Sequence, residues 1–423
     1  MRLLWLCNTR PGVVREAIQG KPVGAVNWVD HVLSGLRDRG FSIRILCPGD
    51  GSAGALGGGC DFATFQEGKP YVYLPALERF FAGVLASFSP DVIHIWGTEY
   101  GHTLAMLRAV EAAGLLNRCA VSIQGLCSVI AGHYTQGLPP AAVAGFTLRD
   151  FLRQDNIWQQ RKKFVRRGEL EIQALKLARH VIGRTDWDRA CVRAIHPDIR
   201  YHFCNETLRE PFYQGQWRYG QCRRHRIFAS SRDYPVKGFH YLLEALPQVL
   251  KSYPDAAIAV TGASYLRGGC SAALRREGYE NYLRKLTRRL GLADKIDFLG
   301  ELSAEEMKRA YLDANVFVLP STSENSPNSL GEAMLLGVPC VAGCVGGVQN
   351  MMRHEEEGLI FQPTAPYMLA DSICRVFAME DQAQAMGRRA REHALKTHDP
   401  QANLDQLLAI YGSLWGKEPK WKS

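Results

Sequence analysis

The sequence lacks the features that mark several protein classes. It contains no run of about eighteen apolar residues, which argues against a membrane-spanning helix. The apolar stretch at residues 3–7 is shorter than the core of a signal peptide, so we expect a cytoplasmic protein. No two of the twelve cysteines have the two-residue separation of a zinc or redox site, and we expect reduced, buried thiols.

Two nucleotide-binding signatures are also missing. No Gly-x-Gly-x-x-Gly turn occurs, which disfavours a nicotinamide dehydrogenase. The glycine-rich residues 51–59 are not followed by Gly-Lys-Ser/Thr, so we expect a flexible loop there and no P-loop. What remains is a chain of 423 residues, 46% hydrophobic and 22% charged, which predicts two to three globular domains.

The positive charge is concentrated in one segment. The net charge of the chain is +9, and residues 151–226 alone carry +9. A basic segment of this kind suits phosphates, nucleic acid or an anionic membrane surface, and a solvated helix face is the alternative. Nucleic acid is disfavoured as a partner because no recognised binding module accompanies the charge.

Within this segment, apolar residues recur every seven positions at Phe151, Trp158, Val165 and Ile172. Cations lie between them. The pattern indicates either a domain helix with a solvated face or a basic patch that docks on anionic lipid. The clustered cations are Arg161, Lys162, Lys163, Arg166 and Arg167.

Short apolar runs alternate with amphipathic stretches along the chain, which is typical of a parallel α/β fold. We expect strands at residues 3–7, 42–47, 92–96, 120–123, 180–183, 226–230, 257–261, 296–299, 316–319, 339–342 and 359–361. The pattern predicts two Rossmann-like, doubly wound parallel-sheet domains facing each other across a cleft. We place them at residues 1–210 and 211–399, with a last helix at about residues 400–423 packing back on the first domain.

The most informative stretch of sequence is residues 318–339. Ser326 is suited to cap a helix, and Pro327 is suited to its first position. The N–H groups of Asn328 and Ser329 would then be free at the positive end of the helix dipole, where a phosphate can bind.

Charged side chains lie on both sides of this predicted helix start. Glu324 falls in the loop before it and Glu332 falls within the helix. Two carboxylates in these positions can hold sugar and ribose hydroxyls, and solvent-exposed acids are the alternative. The loop after the strand at 226–230 carries Arg232 and Lys237, whose charges can neutralise a diphosphate.

These residues together resemble a known family. The spacing of Arg232 and Lys237-Gly, the pair Glu324 and Glu332-Ala-Met, and the following Gly346-Gly347 resemble the retaining group 1 glycosyltransferases of the GT-B fold. The resemblance covers most of the chain and is strongest from about residue 226 to residue 362.

The resemblance implies a role for each residue. Arg232 and Lys237 would bind the donor diphosphate and stabilise the leaving nucleotide, and Glu324 would lie near the reacting face of the sugar. These three are the candidate catalytic residues. The family uses no metal or other cofactor, so cations and a helix terminus carry the developing charge. The donor would also contact Glu332, through its ribose, and the backbone N–H groups of Asn328, Ser329 and Leu330.

The resemblance assigns the acceptor to the first half of the chain. Residues 22–28 are similar to the family's acceptor loop, with one glycine, Gly24, where many members have two. The loop after the strand at 92–96 holds Glu99 and His102, which we expect to contact the acceptor. His94 lies inside that strand and is expected to be a core or supporting histidine.

The first half also departs from the family pattern. Where many members place a His-Gly pair against the donor sugar, this chain has Gln124-Gly125, and glutamine cannot carry a proton. His133 is a second candidate for that contact. Asp186 and Asp188 match the Asp-x-Asp motif by which the other large glycosyltransferase fold binds metal. However, Thr185 before them predicts a helix-capping box instead.

The sequence therefore predicts a metal-independent, hexosyltransferase-like retaining glycosyltransferase that is cytoplasmic or held at the inner face of an anionic membrane. Its donor would be a nucleotide diphosphate sugar. Its acceptor would be a glycan or lipid-linked precursor in bacterial surface-polysaccharide biosynthesis, with no nucleic-acid partner. A nucleotide-sugar epimerase of similar fold and a catalytically silent glycan-assembly partner are the alternatives.

Overall fold

The structure, a computed structural model, describes residues 1–20, 28–266 and 276–416. Over these ranges the chain forms two compact units. Unit 1 consists of the described residues of Met1–Val129, Lys163–Thr207 and His398–Ser423, and unit 2 consists of Ile130–Lys162 with those of Leu208–Thr397. Each unit contains one sheet dominated by parallel strands, which confirms the predicted α/β fold class.

The sheet of unit 1 has eight strands: β1 (Arg2–Cys7), β2 (Ser42–Pro48), β3 (Ala53–Gly57), β4 (Cys60–Phe65), β5 (Val92–Trp96), β6 (Cys119–Ser122), β7 (His180–Gly183) and β8 (Arg200–Phe203). Their order is β3-β4-β2-β1-β5-β6-β7-β8. Only β3 and β4 pair antiparallel. Every residue of β5 is buried, as expected for a parallel strand covered on both faces.

Strand β3 corrects the expectation of a loop at residues 51–59. Its backbone pairs with β4, with Ala53 opposite Ala63 and Gly54 opposite Phe62. Glycine weakens a strand because it offers no side chain to pack, but its N–H and C=O groups still form the ladder. The Phe62 ring reaches to 3.0 Å from where a Cβ of Gly54 would lie, so a ring on β4 takes the space that a β3 side chain would occupy.

The sheet of unit 2 has six parallel strands: β9 (Arg226–Ala229), β10 (Ala257–Val260), β11 (Ile296–Phe298), β12 (Val316–Leu319), β13 (Cys340–Gly343) and β14 (Leu359–Phe361). Their order is β11-β10-β9-β12-β13-β14. The chain order reverses between β9 and β12. Ligands of doubly wound sheets bind beyond the carboxyl ends of the strands at such a switch point.

Helices cover both sheets, and none within the described ranges is long and apolar enough to cross a membrane. In chain order they are α1 (Gly12–Gln19), α2 (Trp28–Asp38), α3 (Pro75–Phe88), α4 (Gly101–Ala112), α5 (Cys127–His133), α6 (Pro140–Ala144), α7 (Leu148–Arg153), α8 (Ile157–Leu177), α9 (Asp186–Ile195), α10 (Phe239–Ser252), α11 (Gly278–Arg289), α12 (Ala304–Asp313), α13 (Asn328–Leu336), α14 (Val348–Met351), α15 (Pro366–Met379), α16 (Asp381–Thr397) and α17 (Pro400–Trp415).

The last helix, α17, contributes to the core of unit 1. The hydroxyl of Tyr411 accepts a hydrogen bond from Trp5 Nε1 (3.2 Å) and lies 2.7 Å from His94 Nδ1. Nε2 of His94 lies 2.7 Å from Ser122 Oγ, so both ring nitrogens have a hydroxyl partner. Burial lowers the pKa of His94 to about 3, so the ring is a neutral core residue at pH 7.

The main difference between the units and the expected domains is the segment of residues 130–162, which precedes residue 210 but belongs to unit 2; the other boundaries shift by two or three residues. Short contacts within unit 2 explain this. Arg149 forms a 2.7 Å ion pair with Glu277. Gly137 lies so close to the Tyr241 hydroxyl that a side chain at position 137 would collide with it.

Asp186 and Asp188 lie at the start of α9, where Asp188 completes the predicted capping box with Thr185. The Asp188 carboxylate is buried and accepts hydrogen bonds from the N–H of Arg184 (3.0 Å) and the hydroxyl of Tyr201 (2.6 Å). The Asp186 side chain is 67% exposed. The motif therefore has a structural role in which only its second carboxylate is buried.

We expect Asp188→Asn to lower the free energy of unfolding by about 1 kcal/mol, because an amide replaces a carboxylate that accepts from a helix N-terminus. Asp186→Asn is the matched control and should change it by less than about 0.5 kcal/mol, since that side chain is exposed. Urea unfolding of the three proteins measures the difference. Equal losses in the two variants would contradict the capping role.

Candidate functional site

In unit 2, the loops after β9 and β12 meet at the carboxyl edge of the sheet. Pro235–Lys237 forms one turn of 3-10 helix and ends at Gly238, whose φ of 67° is left-handed. A side chain at position 238 would collide with the carbonyl of Pro320, so only glycine permits this approach. The N–H of Thr322 donates to the carbonyl of Val236 at 2.8 Å, which joins the two loops.

Lys237 and Glu324 form an ion pair where these loops meet. Lys237 Nζ lies 2.8 Å from Glu324 Oε1, and Ser321 Oγ donates to the same oxygen at 2.7 Å. Burial by itself lowers the pKa of Lys237, but the charge of Glu324, with Tyr234 and Asp233 nearby, outweighs it and raises this pKa above its usual value. The ammonium is therefore a permanent cation at neutral pH.

Arg232 lies on the same loop but turns toward other partners. Its side chain is buried, and its guanidinium donates to Glu280 Oε1 at 3.2 Å and to the carbonyl of Ala263. The guanidinium also lies 5.1 Å from the centre of the Tyr265 ring. Its Nε has no hydrogen-bond partner among the described residues. Arg232 and Lys237 thus share a loop, and no described residue bonds to both side chains.

Helix α13 begins one residue later than expected. Pro327 is its N-cap with an extended ψ of 114°, so Ser326 does not cap it. The carbonyl of Pro327 accepts from the N–H of Leu330 at 3.0 Å, and that N–H is therefore not free for a ligand. The N–H groups of Asn328 and Ser329 have no hydrogen-bond partner among the described residues, so they remain the predicted donors at the helix N-terminus.

The predicted Gly346-Gly347 pair lies against the same loop. The N–H of Gly347 donates to the carbonyl of Asn325 at 3.0 Å, and Gly346 is left-handed with φ 51°. This contact joins the turn after β13 to the loop that carries Glu324. Three loops from the carboxyl edge of the unit 2 sheet are therefore linked by backbone hydrogen bonds.

Glu332 is engaged by a residue that the sequence analysis missed. Arg209 donates two hydrogen bonds to its carboxylate, at 2.7 and 2.8 Å. Burial raises the pKa of Glu332, and Arg209 offsets part of that rise. No sequence signal connects Arg209 to a glutamate so distant in the chain. Its surrounding Leu-Arg-Glu-Pro sequence belongs to no pattern that we recognise.

The structure places His133 in unit 2, together with the donor-site candidates. It is the last residue of α5, and its Nδ1 lies 3.0 Å from Gln136 Oε1. The next residue, Tyr134, stacks on Tyr234 with 6.5 Å between ring centres. Tyr234 lies on the loop of Lys237, so the Tyr134 contact links the segment containing His133 to the Lys237 loop.

Gln124 lies in unit 1, where an ion pair holds it. Its Nε2 donates to Glu206 Oε1 at 2.7 Å, while Glu206 Oε2 accepts from Arg184 at 2.5 Å. Both charged residues are buried and line a cavity of about 550 Å³ at the carboxyl ends of β5 to β8. Hydroxyl-bearing ligands suit such a lining, because charged and amide groups can donate and accept hydrogen bonds.

The predicted acceptor residues Glu99 and His102 are brought together by Asn8. Asn8 Nδ2 donates to Glu99 Oε2 at 2.7 Å, and Asn8 Oδ1 accepts from His102 Nε2 at 2.9 Å. The other ring nitrogen of His102 lies 2.9 Å from Glu67. Burial, with a smaller contribution from Glu171, raises the pKa of Glu99 to about 7. Gly24, the third predicted acceptor residue, is outside the described residues.

Glu171 on α8, which the sequence analysis did not predict, holds the loops after β5 and β6 in unit 1. It is fully buried and accepts from the N–H groups of Cys127 and Ser128, each at 3.0 Å, and from the hydroxyl of Thr98 at 2.9 Å. The same Thr98 hydroxyl lies 2.9 Å from the carbonyl of Gly125, so its single proton can be given to either acceptor. Glu171 thus supports the turn that carries Gln124.

Sequence comparison matches residues 223–393 to the family described as Glycosyl transferases group 1. A GDP-mannose-dependent alpha-(1-6)-phosphatidylinositol monomannoside mannosyltransferase of Mycobacterium tuberculosis is 30% identical over 182 residues, which cover 41% of this chain and 44% of that relative. The first curated relatives are matched over only 33% to 44% of their own lengths.

Solved structures match over nearly the whole chain. Sucrose-phosphate synthase from Thermosynechococcus elongatus has a TM-score of 0.70 and 17% identity, covering 98% of this chain and 100% of its own. HepE of Anabaena in complex with UDP-glucose has a TM-score of 0.67 and 18% identity, with the same coverage. At such identities the likeness concerns the fold, which is the predicted GT-B fold of two Rossmann-like domains.

The Arg209 and Glu332 pair predicts a pH-dependent loss of stability. We expect Arg209→Gln to lower the free energy of unfolding by about 2 kcal/mol at pH 8, because it leaves a buried carboxylate unpaired. The loss should be smaller at pH 5. Burial already raises the pKa of Glu332, so without Arg209 the carboxyl takes up a proton as the pH falls and the buried charge disappears.

Arg375→Gln is the control, since its ion pair with Glu355 is exposed on both sides and should contribute less than about 0.5 kcal/mol. Denaturant unfolding at the two pH values provides the comparison. A loss in Arg209→Gln that is the same at pH 5 and pH 8 would contradict a charged Glu332.

Proposed function

We propose that this chain, which belongs to the group 1 glycosyltransferase family through residues 223–393, transfers a sugar from a nucleotide diphosphate sugar to a hydroxyl acceptor. The observation that carries the proposal is the ion pair of Lys237 with Glu324, close in sequence to the unpartnered N–H groups of Asn328 and Ser329. A diphosphate needs a cation and N–H donors, and a sugar needs a carboxylate for its hydroxyls.

Lys237, Glu324 and Arg232 are the proposed catalytic residues. As the bond between sugar and phosphate breaks, negative charge grows on the diphosphate, where the permanent charge of Lys237 and the α13 N-terminus stabilise it. Diphosphate binding would replace Glu324 as the partner of Lys237. The freed carboxylate oxygen of Glu324 would then accept a hydrogen bond from a sugar hydroxyl. On donor binding, Lys237 would thus exchange Glu324 for the diphosphate, and Glu324 would exchange Lys237 for the sugar.

In this proposal no metal ion and no other cofactor is required. The charges that neutralise the diphosphate are those of Lys237 and Arg232, with the helix dipole added. Glu332 receives the ribose hydroxyls. Its two hydrogen bonds with Arg209 hold the carboxylate in one orientation before the donor arrives, which lowers the entropy cost of binding.

We place the acceptor in unit 1, on Glu99 and His102 and at the cavity lined by Arg184 and Glu206. Gln124 and His133 are the proposed further contacts of the donor sugar. The transfer is proposed to retain the anomeric configuration. The acceptor is proposed to be a glycan or lipid-linked precursor of a cell-surface polysaccharide, for which the name of the mycobacterial relative, a phosphatidylinositol monomannoside mannosyltransferase, offers support.

A panel of UDP, GDP and ADP sugars tests the proposal, with and without chelator. One donor class should raise the melting temperature and should release its nucleoside diphosphate, and chelator should leave the rate unchanged. Mass spectrometry of the sugar then decides the reaction. An isomerised nucleotide sugar would mean an epimerase, and binding without turnover on any acceptor would mean a silent partner. A requirement for magnesium would contradict the proposed charge stabilisation.

Variants of the ion pair test the catalytic roles. We expect Lys237→Met and Glu324→Gln each to lower kcat by roughly 10²- to 10³-fold, the scale of one lost electrostatic stabiliser. Because the two side chains contact each other, the double variant should lose less than the product of the single losses. Lys251→Met, at an exposed position on α10, is the matched control.

Glu332→Gln should behave differently from the catalytic variants. Ribose contacts are the same before and during the reaction, so this change should raise KM for the donor while kcat stays close to that of the wild type. Steady-state kinetics of the variants provides the measurement. Near wild-type turnover in Lys237→Met, or a lowered kcat with unchanged KM in Glu332→Gln, would show that these roles are assigned wrongly.

A further inference from the structure

The exposed apolar side chains of this protein cluster in one short segment of unit 2. Of the twelve large hydrophobic side chains exposed in the described part of the chain, five lie between residues 146 and 158. Single exposed apolar residues are common on protein surfaces, but a contiguous group indicates a surface that binds something. The five, which are 45% to 72% exposed, are Phe146, Leu148, Phe151, Leu152 and Trp158.

The exposure of this segment is imposed by how α7 is anchored. The inner side of α7 carries the buried Asp150, which accepts from Thr147 in a capping box and lies 2.9 Å from where a Cβ of Gly278 would be. Asp150 thus faces α11. Leu148, Phe151 and Leu152, spaced i, i+3 and i+4, therefore share the outer face of the turn.

The unpaired charges around these apolar residues are positive. Arg153 and Lys162 are exposed and form no ion pair with any described residue, and Lys162 Nζ lies 3.5 Å from the centre of the Trp158 ring. The nearby carboxylates of Asp150, Asp155 and Glu277 all pair with Arg149. A surface of exposed apolar and cationic side chains complements an anionic lipid surface.

A cavity beside Phe146 extends the positive surface. It has a volume of about 280 Å³ and lies between residues 139–147 and α11. Lys285 and Arg289, one helical turn apart, line it together with Tyr282. Neither cation forms an ion pair within 4 Å with a described residue, although the charge of Arg289 offsets part of the rise that burial causes in the pKa of Glu244. Both side chains are exposed and can reach a phosphate group. The cavity is large enough for the phosphate of a lipid headgroup.

We propose that this surface docks unit 2 on an anionic lipid bilayer, with Phe151 and Leu152 inserted at the acyl boundary and a headgroup phosphate held by Lys285 and Arg289. The bilayer is favoured over a protein partner because the apolar side chains project outward beside unpaired cations. The docking face consists of Phe146, Leu148, Phe151, Leu152, Arg153, Trp158, Lys162, Lys285 and Arg289.

This face differs from the one that the heptad pattern of residues 151–178 suggests. Arg161 donates to the carbonyl of Ala131 at 3.0 Å, and Arg167 donates to the carbonyl of Glu99 at 2.8 Å. Arg166 lies 6.0 Å from the ring of Tyr71. Arg161 and Arg167 thus contribute to the fold, and the docking face takes only Lys162 from the α8 cations, with Arg153 from α7 and Lys285 and Arg289 from α11.

Co-sedimentation of the full chain with vesicles tests the apolar part of the proposal. Wild type should bind vesicles of equal parts phosphatidylglycerol and phosphatidylcholine at low salt, and should bind pure phosphatidylcholine far more weakly. Phe151→Ser with Leu152→Ser should lower the affinity at least about tenfold through lost apolar burial. Tyr367→Ser with Met368→Ser, at exposed apolar positions on α15 of the same unit, is the matched control and should bind like wild type.

A charge variant tests the cavity. Lys285→Gln with Arg289→Gln should lower the affinity about thirtyfold, since each cation near an anionic surface contributes about fivefold. Arg218→Gln with Arg388→Gln removes the same charge from other exposed positions of unit 2 and should have a much smaller effect. Raised salt should weaken wild-type binding. Melting temperatures close to that of the wild type establish that each variant is folded.

Several results would overturn the proposal. One is that the wild type fails to bind anionic vesicles at low salt, or binds neutral vesicles equally well. Another is that the two docking-face variants bind anionic vesicles as well as the wild type does. A charge effect that is the same in the control pair would show attraction by net charge alone and would also overturn it. The assay requires no sugar donor, so its outcome is independent of the proposed transfer reaction.

Discussion

The candidate donor site depends on the close approach of two backbone loops. The loop after β9 reaches the loop after β12 because residue 238 is a glycine in a left-handed conformation, with no Cβ to meet the carbonyl of Pro320. This approach brings Lys237 within 2.8 Å of Glu324. The two strands flank the switch point of the sheet, so the pair lies where a doubly wound fold binds ligands.

Most of the charged residues assigned to ligands already have partners in the protein. Lys237 pairs with Glu324, Arg232 with Glu280, and Glu332 with a residue from outside the predicted motifs. A buried charge without a partner is costly, so the unliganded protein has to satisfy each one internally. When a ligand binds, each charged side chain exchanges its internal partner for the ligand. Because these side chains are already largely removed from water, the ligand has less of their desolvation cost to offset.

The segment of residues 130–162 has two consequences for function. Through Tyr134 it contacts the loop of Lys237, and its outer side carries most of the docking face. It belongs to unit 2 although it lies within the first half of the chain. A protein that takes its acceptor from a lipid surface would therefore have the docking face and the donor-site residues in one compact unit.

Local pattern determined much of this protein. Apolar β-branched runs predicted strands such as Val92–Trp96 with the observed bounds, because a short continuous run of buried apolar residues is visible in neighbouring positions of the sequence. The loop positions of Lys237 and Glu324 followed from those strands. The edge strand at Ala53–Gly57, the pairing of Arg209 with Glu332, and the exposure of Phe151 and Leu152 required the tertiary structure. The edge strand pairs with its neighbour in the chain through backbone groups, which a glycine-rich sequence does not reveal. Arg209 and Glu332 are 123 residues apart, where periodicity within a short window carries no information.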